Sequence, residues 1–206
     1  YGAVLGTVLL LAVYLTAHGS FPSFAQSLRH AAFHVVSVAT TTGYASHDYA
    51  QWPLFAPLLM ILLGCFATCA GSTGGGIKMV RMLLLLKQSG RELVRIVHPR
   101  VVNPVMLGGA RVDDRVMQSV IAFMMIYGAT LVSLTMVLLF SGLDPVTALT
   151  AVVACVNNIG PGLGDVGPAV NYQGLNDFQT WVCTFAMILG RLELLSLLVL
   201  LTPQFW

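Results

Sequence analysis

The chain has 206 residues, 57% of them hydrophobic and only 9% charged, with a formal net charge of +2. Its mean hydropathy is +0.83. A soluble globular domain carries about 25% charged residues, so this composition excludes an ordinary water-soluble fold, makes the lipid bilayer the first partner, and gives no sign of a nucleic-acid partner.

Residues 1–17 are uncharged and apolar and read as an outer span. The run starts at Tyr1 with no basic leader, as in a fragment of something longer. His18-Gly19-Ser20-Phe21-Pro22 ends it. Residues 23–38 contain Gln26, Arg29, His30 and His34, too polar for a lipid-facing span, and predict a re-entrant pore helix. Thr40-Thr41-Thr42-Gly43-Tyr44 follows as an expected strand. From Tyr49 to Ile77 no charge appears for 29 residues. A single helix over 53–86 would be about 50 Å long, beyond a hydrocarbon core of about 30 Å. Gly71-Ser72-Thr73-Gly74-Gly75-Gly76 places four glycines in six residues, which no helix holds well. The reading is therefore a broken inner span: helix to about Ala70, an irregular loop, then a helix resuming near Lys78. Non-helical backbone at membrane depth persists only beside water or inside protein, so this loop is expected to line a pore.

Lys78 to His98 continues as a basic amphipathic extension, and residues 99–115, with Pro99, Pro104 and Gly108-Gly109, form a connector. A second unit follows over 116–206. It comprises a span at 116–141, a pore helix at 145–156 opened by Pro145, a strand at 157–161 and a last span at 178–201. The order of the first unit, 1–98, is repeated in the same orientation, and Gly43 and Gly160 set the offset at 117 residues. The expected fold is all-α, with two parallel span–pore helix–span repeats, half of a four-repeat pore.

Eight of the ten basic residues lie between Lys78 and Arg115. By the positive-inside rule, residues 78–115 face the cytoplasm. Asp48, Asp144, Asp165 and Asp177 fall in the opposite loops, where they either solvate the loop or concentrate cations at an outer mouth. Cys65, Cys69, Cys155 and Cys183 form no CxxC pair and read as small buried apolar residues, with a thiolate metal site as the alternative. His30 and His34 share a helix face without a nearby carboxylate and read as packing rather than metal ligands.

The chemistry lies in the two strands. Thr40, Thr41, Thr42 and Gly43 offer a row of carbonyls that could replace the water around a cation, and Tyr44 is expected to pack behind them. The bland reading is a tight turn after a short helix. Asn157, Asn158, Ile159, Gly160 and Pro161 repeat the position of Gly43 without its threonines. Their asparagine side chains could tie the strand to its neighbours as hydroxyls do in the first copy; composition alone also fits an Asn/Gly/Pro turn. The potassium positions are Thr41, Thr42, Asn158 and Ile159. Arg191 stands within the last apolar span, where a centred arginine costs about 3 kcal/mol. It either faces the pore below the strands or pairs with a neighbouring span, and Glu193, two residues on, points elsewhere. Lys78 either acts with Arg191 or is the first cytoplasmic anchor.

As an ordered set, five segments resemble the Trk/Ktr/HKT superfamily of potassium transporters: Ala39-Thr40-Thr41-Thr42-Gly43-Tyr44, Ala70-Gly71-Ser72-Thr73-Gly74-Gly75-Gly76-Ile77-Lys78, His98-Pro99-Arg100, Asn157-Asn158-Ile159-Gly160-Pro161-Gly162 and Gly190-Arg191-Leu192-Glu193. The match is to the C-terminal half, the third and fourth repeats of a Trk-type protein. The resemblance implies potassium uptake across a bacterial inner membrane, with K+ as the permeating ion and no organic cofactor. It implies an intramembrane gate at Gly71, Ser72, Thr73, Gly74, Gly75 and Gly76, with Lys78 and Arg191 near it. It also implies a homodimer, a cytosolic nucleotide-binding RCK-type regulatory subunit docked on 78–115, and N-terminal repeats that supply the other two strands. No covalent chemistry is expected, so the chain is not read as an enzyme. Two other classes compete: a secondary transporter working by symport of K+ with H+ or Na+, usually built on inverted repeats, and a non-conducting assembly subunit.

Overall fold

The computed structural model describes residues 1–68, 75–101 and 103–191. Its elements are α1 (Gly2–Ala17), α2 (Phe24–Ala39), α3 (Phe55–Phe66), α4 (Met79–Val97), β1 (Met106–Leu107), β2 (Ala110–Arg111), α5 (Asp114–Phe140), α6 (Pro145–Val156) and α7 (Asp177–Arg191), with short 3₁₀ turns at Tyr49–Gln51, Gly164–Val166 and Tyr172–Gly174. Gly71–Gly74, Cys69, Glu193 and residues 192–201 of the last expected span lie outside the described residues.

Local sequence explains the starts of three helices. Ser23 Oγ accepts from Ala25 N at 3.3 Å to start α2, and Asp113 caps α5 through Arg115 N. Asp144 accepts from Val146 N and Thr147 N, and Pro145 fills the first turn of α6, where its missing N–H costs nothing. Two of the four loop aspartates therefore have a definite local task. Asp144 caps α6, and Asp48 caps the Tyr49–Gln51 turn by accepting from Ala50 N and Gln51 Nε2.

α5, at 27 residues, is long and apolar enough to cross a membrane. α2 has 16 residues and α6 has 12, so they are about 24 and 18 Å long. α3 ends at Phe66, earlier than the Ala70 expected from hydropathy, and α4 starts at Met79. Between them the chain doubles back: Ile77 N donates to Cys65 O at 2.8 Å and Met79 N to Thr68 O at 2.9 Å. One carbonyl of the last turn of α3, Cys65 O, is thereby used by the chain that returns, which helps the helix stop early.

Two cores result. The first joins α1, α2 and α3 and takes in Ile159 and Leu163 from the second unit. The other joins α5, α6 and α7 and takes in Ile77 from the first. The two halves are thus cross-inserted. Fully buried alanines at the helix contacts, Ala12, Ala31, Ala56, Ala148, Ala151, Ala154 and Ala186, let backbones approach closely. The outside is apolar instead: Leu5, Val13, Met125, Val132 and Phe140 are exposed, the reverse of a water-soluble surface.

The wholly helical expectation needs one correction. Met106 pairs with Arg111 and Leu107 with Ala110 in a short antiparallel hairpin. Gly108 (φ 58°) and Gly109 (φ 85°) make its turn, the left-handed pair that such hairpins favour. The segments 40–44 and 157–161, expected as strands, join no ladder; each is an irregular stretch held by its preceding helix.

Candidate ion-conduction site

The two segments have the same backbone at the same offset. After α2, Thr40 N donates to Val36 O, Thr41 N to Val38 O and Thr42 N to Ser37 O. After α6, Asn157 N donates to Val153 O, Asn158 N to Cys155 O and Ile159 N to Ala154 O. Thr41 and Asn158 have φ of 55° and 54°, and Gly43 and Gly160 have φ of 77° and 107°. A β-branched residue with positive φ is an outlier, so Thr41 is held there by its surroundings. Every second residue over these stretches of the two segments therefore lies in the left-handed region.

The side chains repeat the same task with different chemistry. Thr40 Oγ1 donates to Val36 O at 2.7 Å, and Asn157 Nδ2 donates to Val153 O at 2.7 Å. Thr42 adds a hydroxyl contact to Thr40 Oγ1 at 2.9 Å. Asn158 Nδ2 reaches Met187 O on α7 at 3.4 Å.

The segments meet. Thr41, Thr42, Asn158, Ile159 and Gly160 line a single cavity of about 350 Å³, with Cys155, Tyr172 and Met187 among its other walls. A Cβ on Gly43 would collide with the Ile159 carbonyl oxygen. The Ile159 side chain is buried in the first core against Gly64, so Ile159 wedges the two units together while its carbonyl meets Gly43. Pro161 follows at the outer end, its ring 3.3 Å from the same hypothetical Cβ.

Asn157 is the hub below. It is fully buried. Its Oδ1 accepts from Tyr127 OH on α5 at 3.1 Å, and its Nδ2 also lies 3.6 Å from Cys65 Sγ on α3. The end of the glycine-rich segment packs directly against it. A Cβ on Gly75 would sit 2.8 Å from Asn157 O, and one on Gly76 2.5 Å from Asn157 Oδ1. Thr68 Oγ1 donates to Gly75 O at 3.1 Å, tying the two ends of the loop together. Lys78 caps α4 with a φ of 63°. Arg191 is exposed at the end of the described part of α7, next to Gly190, whose Cβ would strike Val156 O and approach Asn158 Nδ2. Of the expected gate residues, Gly75 and Gly76 are seen beneath the second segment, Lys78 heads α4, Arg191 ends the described helix, and Gly71, Ser72, Thr73 and Gly74 are not among the described residues.

Tyr44 does not pack behind the first segment. Its ring is 73% exposed, and its carbonyl accepts from Ser37 Oγ at 2.7 Å. The space behind is already filled by His34, Tyr49 and Trp52, whose rings stack edge-on. His34 is fully buried: Nδ1 donates to His30 O at 2.7 Å and Nε2 accepts from Ser46 N and His47 N at 3.3 Å. That fixes a neutral imidazole as a clamp between α2 and the chain beyond the segment. Among the described residues, no group of three or more His, Cys, Asp or Glu is placed to hold a metal ion. Cys155 and Cys183 are buried and Cys65 is half-buried.

In the second unit the clamp is built otherwise. Thr150 Oγ1 accepts from Leu163 N at 2.9 Å, Thr147 Oγ1 accepts from Asp165 N at 3.2 Å, and Tyr172 OH donates to Gly160 O at 2.8 Å. Burial pushes the Tyr172 phenol above its ordinary pKa, so it stays a donor. Tyr172, Tyr127 and Thr150 were not singled out by sequence. Tyr127 and Thr150 lie inside apolar helices and Tyr172 in a turn, and only a polar atom within an otherwise apolar run could have marked the first two.

The family model described as TrkH, cation transport protein, matches residues 7–205. The chain is 42% identical to the Trk system potassium uptake protein TrkH of Vibrio parahaemolyticus over 96% of its own length and 40% of that protein. It is 40% identical to TrkH of Escherichia coli K12, covering 97% of this chain and 41% of the relative. It is also 40% identical to the TrkG protein of that strain, over 92% and 37%. The crystal structure of the potassium transporter TrkH from Vibrio parahaemolyticus superposes with a TM-score of 0.91 at 41% identity, covering 98% of this chain and 43% of that one. The chain thus spans about 40% of the length of these relatives. With nearly every residue matched and the fold shared, the chain belongs to the TrkH family of cation transport proteins.

Proposed function

We propose that this chain builds part of the wall of a potassium-conducting pore and serves potassium uptake across a bacterial inner membrane. The observation that carries the reading is the repeated backbone, Thr41 with Gly43 and Asn158 with Gly160, converging on one cavity. In this reading K+ sheds water against the carbonyls of Thr40, Thr41, Thr42 and Gly43 and of Asn157, Asn158, Ile159 and Gly160, with Thr41, Thr42, Asn158 and Ile159 at the ion itself. Tyr44 and Pro161 form the outer rim. α2 and α6, too short to span, enter the membrane from the outside and return, which makes the chain multi-pass. The ion is cargo, no bond is made or broken, and no organic cofactor takes part.

The glycine segment Gly71–Gly76 acts as the gate. Its support is the packing of Gly75 and Gly76 against Asn157, the residue that opens the second segment. Lys78 and Arg191 flank the gate and oppose cation entry while it is closed. The other two carbonyl segments come from N-terminal repeats of the same protein, and the whole forms a homodimer. A cytosolic nucleotide-binding regulator of the RCK type docks on the basic inner face, where Arg100, Arg111 and Arg115 are exposed and Arg81, Lys87 and Arg91 are committed to Phe123, Met106 O and Asp114.

Gly160→Ala tests the reading. The nearest atom to a Cβ there is Gly43 Cα at 3.9 Å, so there is room, while the φ of 107° penalises any side chain. In proteoliposomes holding the whole protein, the variant should pass K+ and Na+ with much less discrimination than the parent. Unchanged K+ over Na+ selectivity would overturn the filter assignment. Flux that follows an imposed pH or Na+ gradient would indicate coupled transport instead of a channel.

A further inference from the structure

A second cavity lies far from the ion path, where the end of α4 meets the start of α5. It has a volume of about 290 Å³ and is lined by Gln88, Arg91, Arg95, Asp114, Met117, Gln118 and Ile121. On α4 the polar walls stand one turn apart, so Gln88, Arg91 and Arg95 share a face. On α5 the wall changes character along the helix, from Asp114 at its first turn to the apolar side chains of Met117 and Ile121.

Arg91 keeps only 11% of its side chain exposed. Its Nη1 donates to Asp114 Oδ1 at 3.2 Å. Its Nε is buried with no hydrogen-bond acceptor among the described residues. Glu92 is 3.6 Å away from that nitrogen, too long for a hydrogen bond, and its Oε1 already accepts from Gln88 Nε2 and Arg95 Nη1. A buried guanidinium N–H without an acceptor is costly, so an acceptor from outside the chain is favoured. The two guanidinium groups are balanced by Asp114 and Glu92, so the pull on an anion comes from the unpartnered Nε–H, and guanidinium forks suit phosphate oxygens.

The apolar half of the cleft narrows the choice. Met117 is buried at its floor and Ile121 is 40% exposed at its edge, so the cleft runs out along the lipid-facing side of α5. No aromatic ring lines the cavity to stack on a nucleobase. A phosphate joined to acyl chains meets both halves; a free nucleotide meets one.

We propose that this cleft binds the phosphodiester headgroup of an anionic phospholipid of the inner leaflet, with Arg91 and Arg95 on the phosphate and the acyl chains against Met117 and Ile121. Because α4 begins two residues after Ile77, a lipid seated here fastens to α5 the helix that leads out of the glycine segment. The site does not depend on which ion the pore conducts.

Native mass spectrometry of the whole protein released from nanodiscs of mixed phosphatidylglycerol and phosphatidylcholine tests this. The parent should retain phosphatidylglycerol in preference. Arg95→Gln, at a position exposed enough to fold normally, should weaken that retention about fivefold, the effect of one basic contact. Asp114→Asn, which removes the competing carboxylate, should strengthen it, a direction that misfolding does not produce. Equal retention by the parent and both variants would overturn the proposal. Displacement of the lipid by inorganic phosphate alone at equal concentration would also overturn it, by assigning the cleft to free anions.

Discussion

Thr41 and Asn158, 117 positions apart, hold the same left-handed backbone at φ 55° and 54°, each two residues beyond the end of a different short helix. Asparagine enters this region readily and β-branched residues do not. Asn158→Val should therefore lower stability by about 1–2 kcal/mol, while Asn158→Gly should keep the conformation and lose only the long bond to Met187 O. Thermal unfolding of the purified protein in detergent checks the order; equal stability of the two variants would show that the left-handed turn is not under strain.

The Tyr127–Asn157 bond joins α5 to the base of the second segment inside the membrane. Interhelical hydrogen bonds in membranes average about 0.6 kcal/mol and reach about 1.7. Tyr127→Phe should fall in that range. Asn157→Ala should cost more, because it removes the Tyr127 acceptor, the bond to Val153 O and the side-chain oxygen against which Gly76 packs. Unfolding midpoints of the two variants, compared in the same detergent, measure the difference.

Tyr172 OH holds the Gly160 carbonyl at 2.8 Å, and Tyr172→Phe should reduce K+ over Na+ discrimination without loss of assembly. The phenol pKa is raised, first by burial and then by its buried neighbours, above the usual value near 10. The sign follows: a raised pKa means the protonated donor is favoured in the fold, so its contribution is complete below about pH 10 and is lost only as the pH climbs through the raised value. The selectivity difference between the parent and Tyr172→Phe should therefore stay constant from about pH 6 to 9. Reversal-potential measurements across that range test it; a difference that vanishes within the range would place the controlling group elsewhere.

Gly76 carries a φ of 88°, and a Cβ would lie 2.5 Å from Asn157 Oδ1 and 2.6 Å from Cys65 O. Gly76→Ala must push the loop away from Asn157. Under the gate proposal this raises basal flux, read as rubidium uptake into proteoliposomes without any regulator. A variant with normal assembly and unaltered basal flux would remove Gly76 from the gate.

What the sequence made legible was periodic or compositional. The apolar run opened by Pro145 marks α6, the glycine cluster marks the interruption after α3, and Gly43 with Gly160 sets the offset at which the backbone repeats. Three features were hidden for physical reasons. Thr-Thr-Thr-Gly-Tyr reads alike whether Tyr44 packs inward or faces out, because the deciding fact is that His34, Tyr49 and Trp52 already fill the space behind. The Tyr172 contact to Gly160 O depends on a loop path between 3₁₀ turns, which no periodicity encodes. Asn157 looked like turn chemistry, and only packing from α3, α5 and the glycine segment makes it a buried hub. The Gly108-Gly109 hairpin, by contrast, carried a recognisable turn pair, but its strands of two residues each are too short to show an alternating pattern.

The most direct measurement is anomalous scattering from rubidium or thallium soaked into crystals of the whole protein. The account predicts ion density on an axis flanked by the main-chain oxygens of Thr41 and Thr42 on one side and Asn158 and Ile159 on the other. Density confined to sites away from those oxygens, with none between the two segments, would contradict it.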